Sequence, residues 1–468
     1  MSRLLTAGAE SGMLSQCDYN DIGHLATAWE YGVTDTQPVD VPSPGSGSLW
    51  GYECAVTNLT QWKHAAASEL FYRIRFFITE TTIGETIRFV HITDASGLER
   101  YHTGNENVDI GLHILANGTL RLTRDASWAT TLADSASGLI APQTWHLLQM
   151  RLKVANSGGV ATVKIDGNTV IDFSGDTQAT ANGGTETILA IQGSTNRTII
   201  FDDLAVNDTA GTFNNSYPED RGVLGLVPNG MGTGTNSLIG TPEATDRHLN
   251  VDEVPASDPD YNSDTVADQY DLYAMEDADS GAVVALELWA RAFYPATAST
   301  YKFVYKHDGV EYRSAALAPT EFTTFPPTTG VDGPWYRHIP LDGLPDTGGA
   351  WTLSALNALE LGFEVATSQE IRNQQLFLEA EIEFAQDCVL TQDDGVVFLD
   401  ASAGNVTLTI DGAQIRGRIY YVKRVDENTA KTVTIDASPW TIDGDATITL
   451  EPLDAVALVS DGTVWYRI

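Results

Sequence analysis

The stretch His146-Leu-Leu-Gln-Met-Arg-Leu-Lys-Val154, followed by Ala161-Thr-Val-Lys-Ile-Asp-Gly-Asn-Thr-Val-Ile-Asp-Phe173, decides the fold class. Apolar and polar residues alternate along both runs, the period of a strand with one face on a core. Asp166-Gly167 interrupts the second run. A two-residue hairpin turn needs positive φ at both central positions, so Asp-Gly between alternating residues predicts a hairpin. Upstream, Leu70-Phe-Tyr-Arg-Ile-Arg-Phe-Phe-Ile-Thr79 puts Phe71, Arg73 and Arg75 on one parity and Tyr72, Ile74 and Phe76 on the other. In Thr86-Ile-Arg-Phe-Val-His-Ile92, residues Ile87, Phe89 and His91 share a parity. Each is read as a strand with one buried and one solvated face, and Asn117-Gly118 predicts a further hairpin.

The same grammar continues downstream. Val283–Phe293 and Thr300–Lys306 alternate, Asp308-Gly309 turns the chain, and Leu376–Phe384 sets Phe377, Glu379, Glu381 and Glu383 opposite Leu376, Leu378, Ala380, Ile382 and Phe384. The glutamate parity is expected to be a solvated face. One short helical turn is expected within 353–361. Residues 208–282 are rich in Gly, Asn, Asp and Pro, too long for an ordinary loop, and are expected to be an extended ordered connector. From Asp387 onward short strands recur, with turns at Asp411-Gly412, Asp443-Gly444 and Asp461-Gly462. The fold class is therefore all-β, with serial jelly-roll β-sandwich domains and a small C-terminal β domain. The expected division is a sandwich over 1–207, the connector over 208–282, a second sandwich over 283–386 and a β module over 387–468.

Composition narrows the function. The 468 residues carry 63 Asp and Glu against 26 Lys and Arg, a net charge of -37. Nucleic acid and anionic membrane both require basic surface, so neither is an expected partner. No run approaches the ~18 apolar residues of a membrane helix. The opening Met1-Ser-Arg-Leu-Leu-Thr-Ala is too short an apolar run for a signal peptide. Cys17, Cys54 and Cys388 are too few and too scattered for a disulfide framework or a zinc pattern.

Constellations that carry chemistry are sparse. Glycoside hydrolysis needs two carboxylates flanking the scissile bond, and the first sandwich contains no alternating acidic run. Asp202-Asp203 are neighbours on a strand and point to opposite faces, so they do not chelate one ion alone. Asp258-Pro-Asp260 and Asp277-Ala-Asp279 read as solvated loops without EF-hand spacing. His24, His64, His91, His102, His113, His146, His248, His307 and His338 show no paired metal spacing and read as surface or satisfied core residues. Gly230-Met-Gly-Thr-Gly234 lacks the lysine and helix of a phosphate loop. No catalytic residue, no metal and no cofactor is expected. Sugar rings stack on exposed aromatics, which makes Trp128, in the polar segment Arg124-Asp-Ala-Ser-Trp-Ala, the candidate glycan platform.

Two resemblances add to this reading. Trp145–Val154, Val163–Val170 and Ile199-Ile-Phe-Asp-Asp-Leu-Ala-Val206 resemble laminin-G-like and concanavalin-A-like sandwiches. The run Phe201–Ser216, with Asp220-Arg-Gly-Val, Leu226-Val-Pro-Asn-Gly230, His248–Pro255, Asp260-Tyr261 and Asp271-Leu-Tyr273, looks like a family of tailed-bacteriophage virion structural proteins. Gly417–Asp426, Thr434-Ile435, Thr441–Gly444 and Val459–Ile468 are similar to a β module that ends phage fibre and tip proteins. The resemblance implies a virion structural protein, non-enzymatic, of the tail-fibre or tail-tip type, with adhesion to host-surface glycan by the first sandwich. It implies assembly in the host cytoplasm, exposure on the particle, other virion proteins as partners, and a homotrimer with Trp465, Tyr466 and Ile468 at its interface. The alternatives are a head fibre or capsid decoration protein and, outside that class, a polysaccharide-degrading enzyme.

Overall fold

The computed structural model describes residues 3–7, 19–20, 52–54, 59–93, 110–124, 130–179, 184–278, 281–293, 299–318, 335–383 and shorter stretches of 388–467, single positions apart. The regular secondary structure of the described residues is almost entirely strand, as the alternation requires. They form two compact units, one running to residue 382 and one covering the C-terminal residues from 383.

The first unit begins with two facing seven-stranded sheets. One runs Arg3–Ala7, Ile199–Asp208, Glu69–Ile78, His146–Lys153, Gly159–Ile165, Asn168–Gly175, with Tyr52–Cys54 beside Ile199–Asp208. The other runs Tyr19–Asn20, Leu59–Ala67, Glu186–Gln192, Ile87–Thr93, Ile110–Ile114, Leu120–Arg124, Thr130–Asp134. Trp62, Tyr72, Phe76, Phe89, Leu148 and Phe201 fill the space between them. Trp62 meets Phe201 edge-on at 5.5 Å, a favourable aromatic geometry. The Asp166-Gly167 turn forms as expected, with φ of 50° and 78°. It is tied back by Asp166, whose carboxylate accepts from the Leu147 amide and lies 2.8 Å from His146 Nδ1.

A second pair of sheets follows. One is Ile239–Thr241, Tyr261–Asp264, Ile371–Glu383, Ala282–Phe293, Trp335–Leu341, with Gly222–Leu226 also on Ile371–Glu383. The other is Pro228–Met231, Tyr270–Met275, Glu360–Val365, Tyr301–His307, Val310–Arg313. Residues 222–275, read from sequence as connector, thus supply five of these strands. The helical turn is Leu353–Asn357, capped by the Thr352 side chain.

The glutamate face of Leu376–Phe384 is not solvated: Glu379 and Glu381 are fully buried. That face packs on the first sandwich, where Glu381 meets Arg3 and Arg73. Arg73 is equally buried, so neither parity of its strand is wet. Trp289 and Phe377 stack in parallel and join the apolar core of the first sandwich.

The C-terminal unit contains two four-stranded sheets in which strands pair both parallel and antiparallel. Leu408, Ile435, Ile442, Leu458 and Trp465 form its core.

Candidate functional site

The sheet containing Ile87–Thr93 buries Phe89, Val90, Ile92, Leu112 and Leu122 against the core. Its other face is polar. Pairing sets His91 opposite Gly111, Gly111 opposite Thr123, and His113 opposite Arg121, which in turn faces Asp134. The result is a polar stripe across four strands. Its inner end is buried at His91, His113 and Thr123. Its outer end is open, with Arg88 exposed and Arg121 and Asp134 each more than a third exposed.

The His113 Nε2 lies 2.9 Å from the Thr123 hydroxyl, which donates to the Gly111 carbonyl. His91 Nε2 is 2.9 Å from the Arg88 carbonyl, and the two imidazoles meet edge-on. Arg121 holds Asp134 in a two-pronged pair at 2.8 and 2.7 Å. Burial pushes His91 down to about 4, against the opposing hydrogen bond to the Arg88 carbonyl. Burial, aided by His91, Arg88 and Arg121, pushes His113 down to about 3. Both imidazoles are therefore neutral at physiological pH, each with one donor and one acceptor nitrogen.

A carboxylate cluster lies in the loop after the turn Arg247–Asn250. Glu253 is half-buried, and its carboxyl is raised to about 7, chiefly by burial and further by Asp252 and by a hydrogen bond with Asp260. The loop is held on the strand Ile371–Glu383, where the Leu376 amide donates to Val251 and the Gln375 side chain donates to the Glu253 carbonyl. Asp260 is therefore not a freely solvated loop residue. Asp258 and Asp279 lie outside the described residues.

A third cluster combines His307, Asp308 and Asp346, whose ligand atoms lie within 4.8 Å of one another, a set that could hold a metal ion.

Other residues singled out from sequence have structural places. Asp203 adopts positive φ at a bulge, pairs with Arg75 at 3.1 Å and accepts from the Val223 amide. Asp202 accepts from the amide of Asp203. Trp128 and Ile468 lie outside the described residues. Trp465 is buried in the core of its own unit and Tyr466 is exposed.

No protein-family model matches the chain, and no curated protein matches it. Among solved structures the chain is similar to the alginate lyase Aly36B, at 11% identity over 34% of this chain and 82% of that one, with a TM-score of 0.27. It is similar to the carbohydrate-recognition domain of Emp47p, at 11% identity over 36% and 86%, with a TM-score of 0.25. It is also similar to the carbohydrate esterase vb_24B_21 from Shiga toxin-encoding bacteriophage phi24B, at 15% identity over 35% and 83%, with a TM-score of 0.25.

Two expectations are corrected. The expectation of no enzymatic activity is withdrawn, because His307, Asp308 and Asp346 bring together a ligand set that could hold a metal ion. The expected role as a virion, tail-fibre or capsid-decoration part is withdrawn with it: no family model or curated protein supports it, and a purely architectural part does not require such a ligand set. The chain is a multi-domain all-β sandwich protein.

Proposed function

We propose that this chain is a carbohydrate-directed protein that binds a polysaccharide along the polar stripe of its first sandwich. The observation that carries this reading is the open end of the stripe, where Arg88 and the Arg121–Asp134 pair reach solvent, with the neutral His91 and His113 buried behind them. A sugar presents hydroxyls that both donate and accept. The solvent-open guanidinium–carboxylate pair offers fixed donors and acceptors to neighbouring hydroxyls, and the buried neutral imidazoles back it without burying a charge. A sheet face with successive side chains two residues apart suits an extended chain of rings.

The test is binding of the full-length protein to a panel of neutral and acidic polysaccharides by affinity electrophoresis and calorimetry. Arg121→Ala weakens binding by at least about tenfold, the loss of one charge-assisted contact, with unchanged folding. Absence of binding across the panel overturns the reading, as does binding untouched by Arg121→Ala.

A second reading, turnover of a polysaccharide at a separate place on the second sandwich, is favoured by Glu253 and Asp260. A carboxyl raised to about 7 beside another carboxylate is poised for general acid–base work near neutral pH. Release of reducing ends or unsaturated products, abolished in Glu253→Gln, supports it. Binding without any turnover leaves the chain a carbohydrate-binding protein.

A further inference from the structure

We propose that His307, Asp308 and Asp346 form a binding site for a divalent first-row transition-metal ion of the zinc type. The site lies in the second sandwich and is independent of the polysaccharide reading. His307 is the last residue of the strand Tyr301–His307, and Asp308-Gly309 is the turn that leads into Val310–Arg313. Positive φ at both turn residues, 48° and 78°, fixes the direction in which the chain reverses. Asp346 comes from the loop after Trp335–Leu341. That loop is closed by the Leu344 amide donating to Gly349 and the Gly348 amide donating to Leu344. The Trp351 indole donates to the Leu341 carbonyl at 3.0 Å and pins the loop's far end.

The carboxylates alone would be two solvated acids on neighbouring loops. The imidazole makes them a site. His307 is only 5% exposed, yet its Nδ1 has no hydrogen-bond partner, although it is shut away from solvent. That nitrogen faces the carboxylates, 3.8 Å from Asp346 Oδ1, too far for a hydrogen bond and close enough to share an ion. A buried polar atom without a partner is costly, and a bound cation removes the cost by taking the lone pair. Trp351 covers the His307 ring edge-on at 5.8 Å and keeps its orientation.

The donor set selects the ion. Calcium and magnesium take oxygen ligands, whereas imidazole nitrogen suits zinc and its neighbours. Donor bonds of ~2.0–2.1 Å in a tetrahedral shell place ligand atoms about 3.3 Å apart. Here the three lie within 4.8 Å, and Asp308 and Asp346 are both exposed. Three protein ligands on a surface leave a fourth position open to water or substrate, the arrangement of catalytic rather than structural zinc. The net charge of -37 adds a general attraction for cations.

The test uses the full-length protein, stripped with chelator and titrated with zinc by calorimetry and with cobalt(II) by visible absorption. The expected result is one zinc equivalent, and a cobalt spectrum of four- or five-coordinate intensity. Asp346→Asn, at an exposed position, weakens zinc binding by at least about tenfold and shifts the cobalt bands. His307→Gln abolishes both signals. Because His307 is buried, Asp308→Asn serves as a second exposed variant should His307→Gln fail to fold. Cobalt also quenches the fluorescence of Trp351, and Trp351→Phe removes that increment. No binding, or binding unchanged in Asp346→Asn and Asp308→Asn, overturns the proposal.

Discussion

Arg73 and Glu381 form an ion pair with Nη1 2.5 Å from Oε1, and both side chains are fully buried. The guanidinium of Arg3 closes on the other carboxylate oxygen. Arg73 also donates to the carbonyls of Asp203 and Glu219, so the buried cation is satisfied on several sides. The pair links the strand Glu69–Ile78 of the first sandwich to Ile371–Glu383 of the second. Removing one partner of a buried pair leaves an uncompensated charge, which costs far more than the pair contributes.

Glu381→Ala is therefore expected to destabilise the chain by about 3–5 kcal/mol, read by urea denaturation at pH 7. A cost near zero would mean that water reaches Arg3 and Arg73.

The same pair sets an acid limb. Burial opposes ionisation of Glu381, yet the charges of Arg3 and Arg73 outweigh it and hold its carboxyl at about 2, below the ordinary 4.5. A carboxyl depressed in the folded state contributes stability that is present above its unfolded value and lost as pH falls through the folded one. Stability should drop between about 4.5 and about 2, and Glu381→Gln should flatten that limb while lowering stability at neutral pH.

Gly362 is constrained by its neighbour strand. A Cβ there would lie 2.0 Å from the backbone oxygen of Asp271, within a strand paired residue for residue with Tyr270–Met275. Backbone cannot yield as a side-chain tip can. Gly362→Ala is expected to cost at least ~1–3 kcal/mol, the range for overpacking, measured as a lowered melting temperature. Gly309, with open space around its Cβ position but φ of 78°, should cost less on the same replacement.

Local signals were legible in the sequence and cross-strand assembly was not. Asp166-Gly167, Asp308-Gly309 and Asp443-Gly444 announce turns because their positive φ demands small or Asx residues, and each has it. The C-terminal strands were legible from alternation, but not their parallel pairings, since register is set by partners distant in sequence. The strands within 222–275 are three to six residues long and broken by Gly and Pro, too short for a periodic signal. The charged parity of Leu376–Phe384 read as wet because alternation cannot reveal a second domain covering it. The His91–His113 contact and the His307–Asp346 approach follow from sheet pairing and loop closure, and no motif spacing announces them.

His91 and His113 should behave as neutral groups. Burial is the leading cause that places them at about 4 and about 3, so the unfolded chain takes up protons near 6.5 that the folded chain refuses. Their contribution to stability is present above 6.5 and is lost as pH falls toward those values. Nitrogen-detected imidazole spectra should show both rings neutral at about pH 5.5. A ring that titrates near its ordinary value would show that the stripe's inner end is open to water.

Glu253 runs the opposite way. Its carboxyl is raised from 4.5 to about 7, first by burial and then by Asp252 and Asp260, so folding favours the protonated form. Stability from this group is present below 4.5 and lost as pH rises through about 7. Replacing the glutamate by its neutral isostere removes a charge that the fold resists while keeping a donor for Asp260. Glu253→Gln should therefore stabilise the chain above pH 7, by roughly 1 kcal/mol once solvent screening of a half-exposed group is allowed for, and have little effect at pH 4. Denaturant midpoints at pH 8 and pH 4 distinguish this from a structural hydrogen bond to ionised Glu253, whose loss would destabilise at pH 8. Asp260→Asn provides the complementary measurement. With one neighbouring charge removed, the titration of Glu253 should move down toward its ordinary value, and any turnover of polysaccharide that depends on it should move its acid–base profile in the same direction.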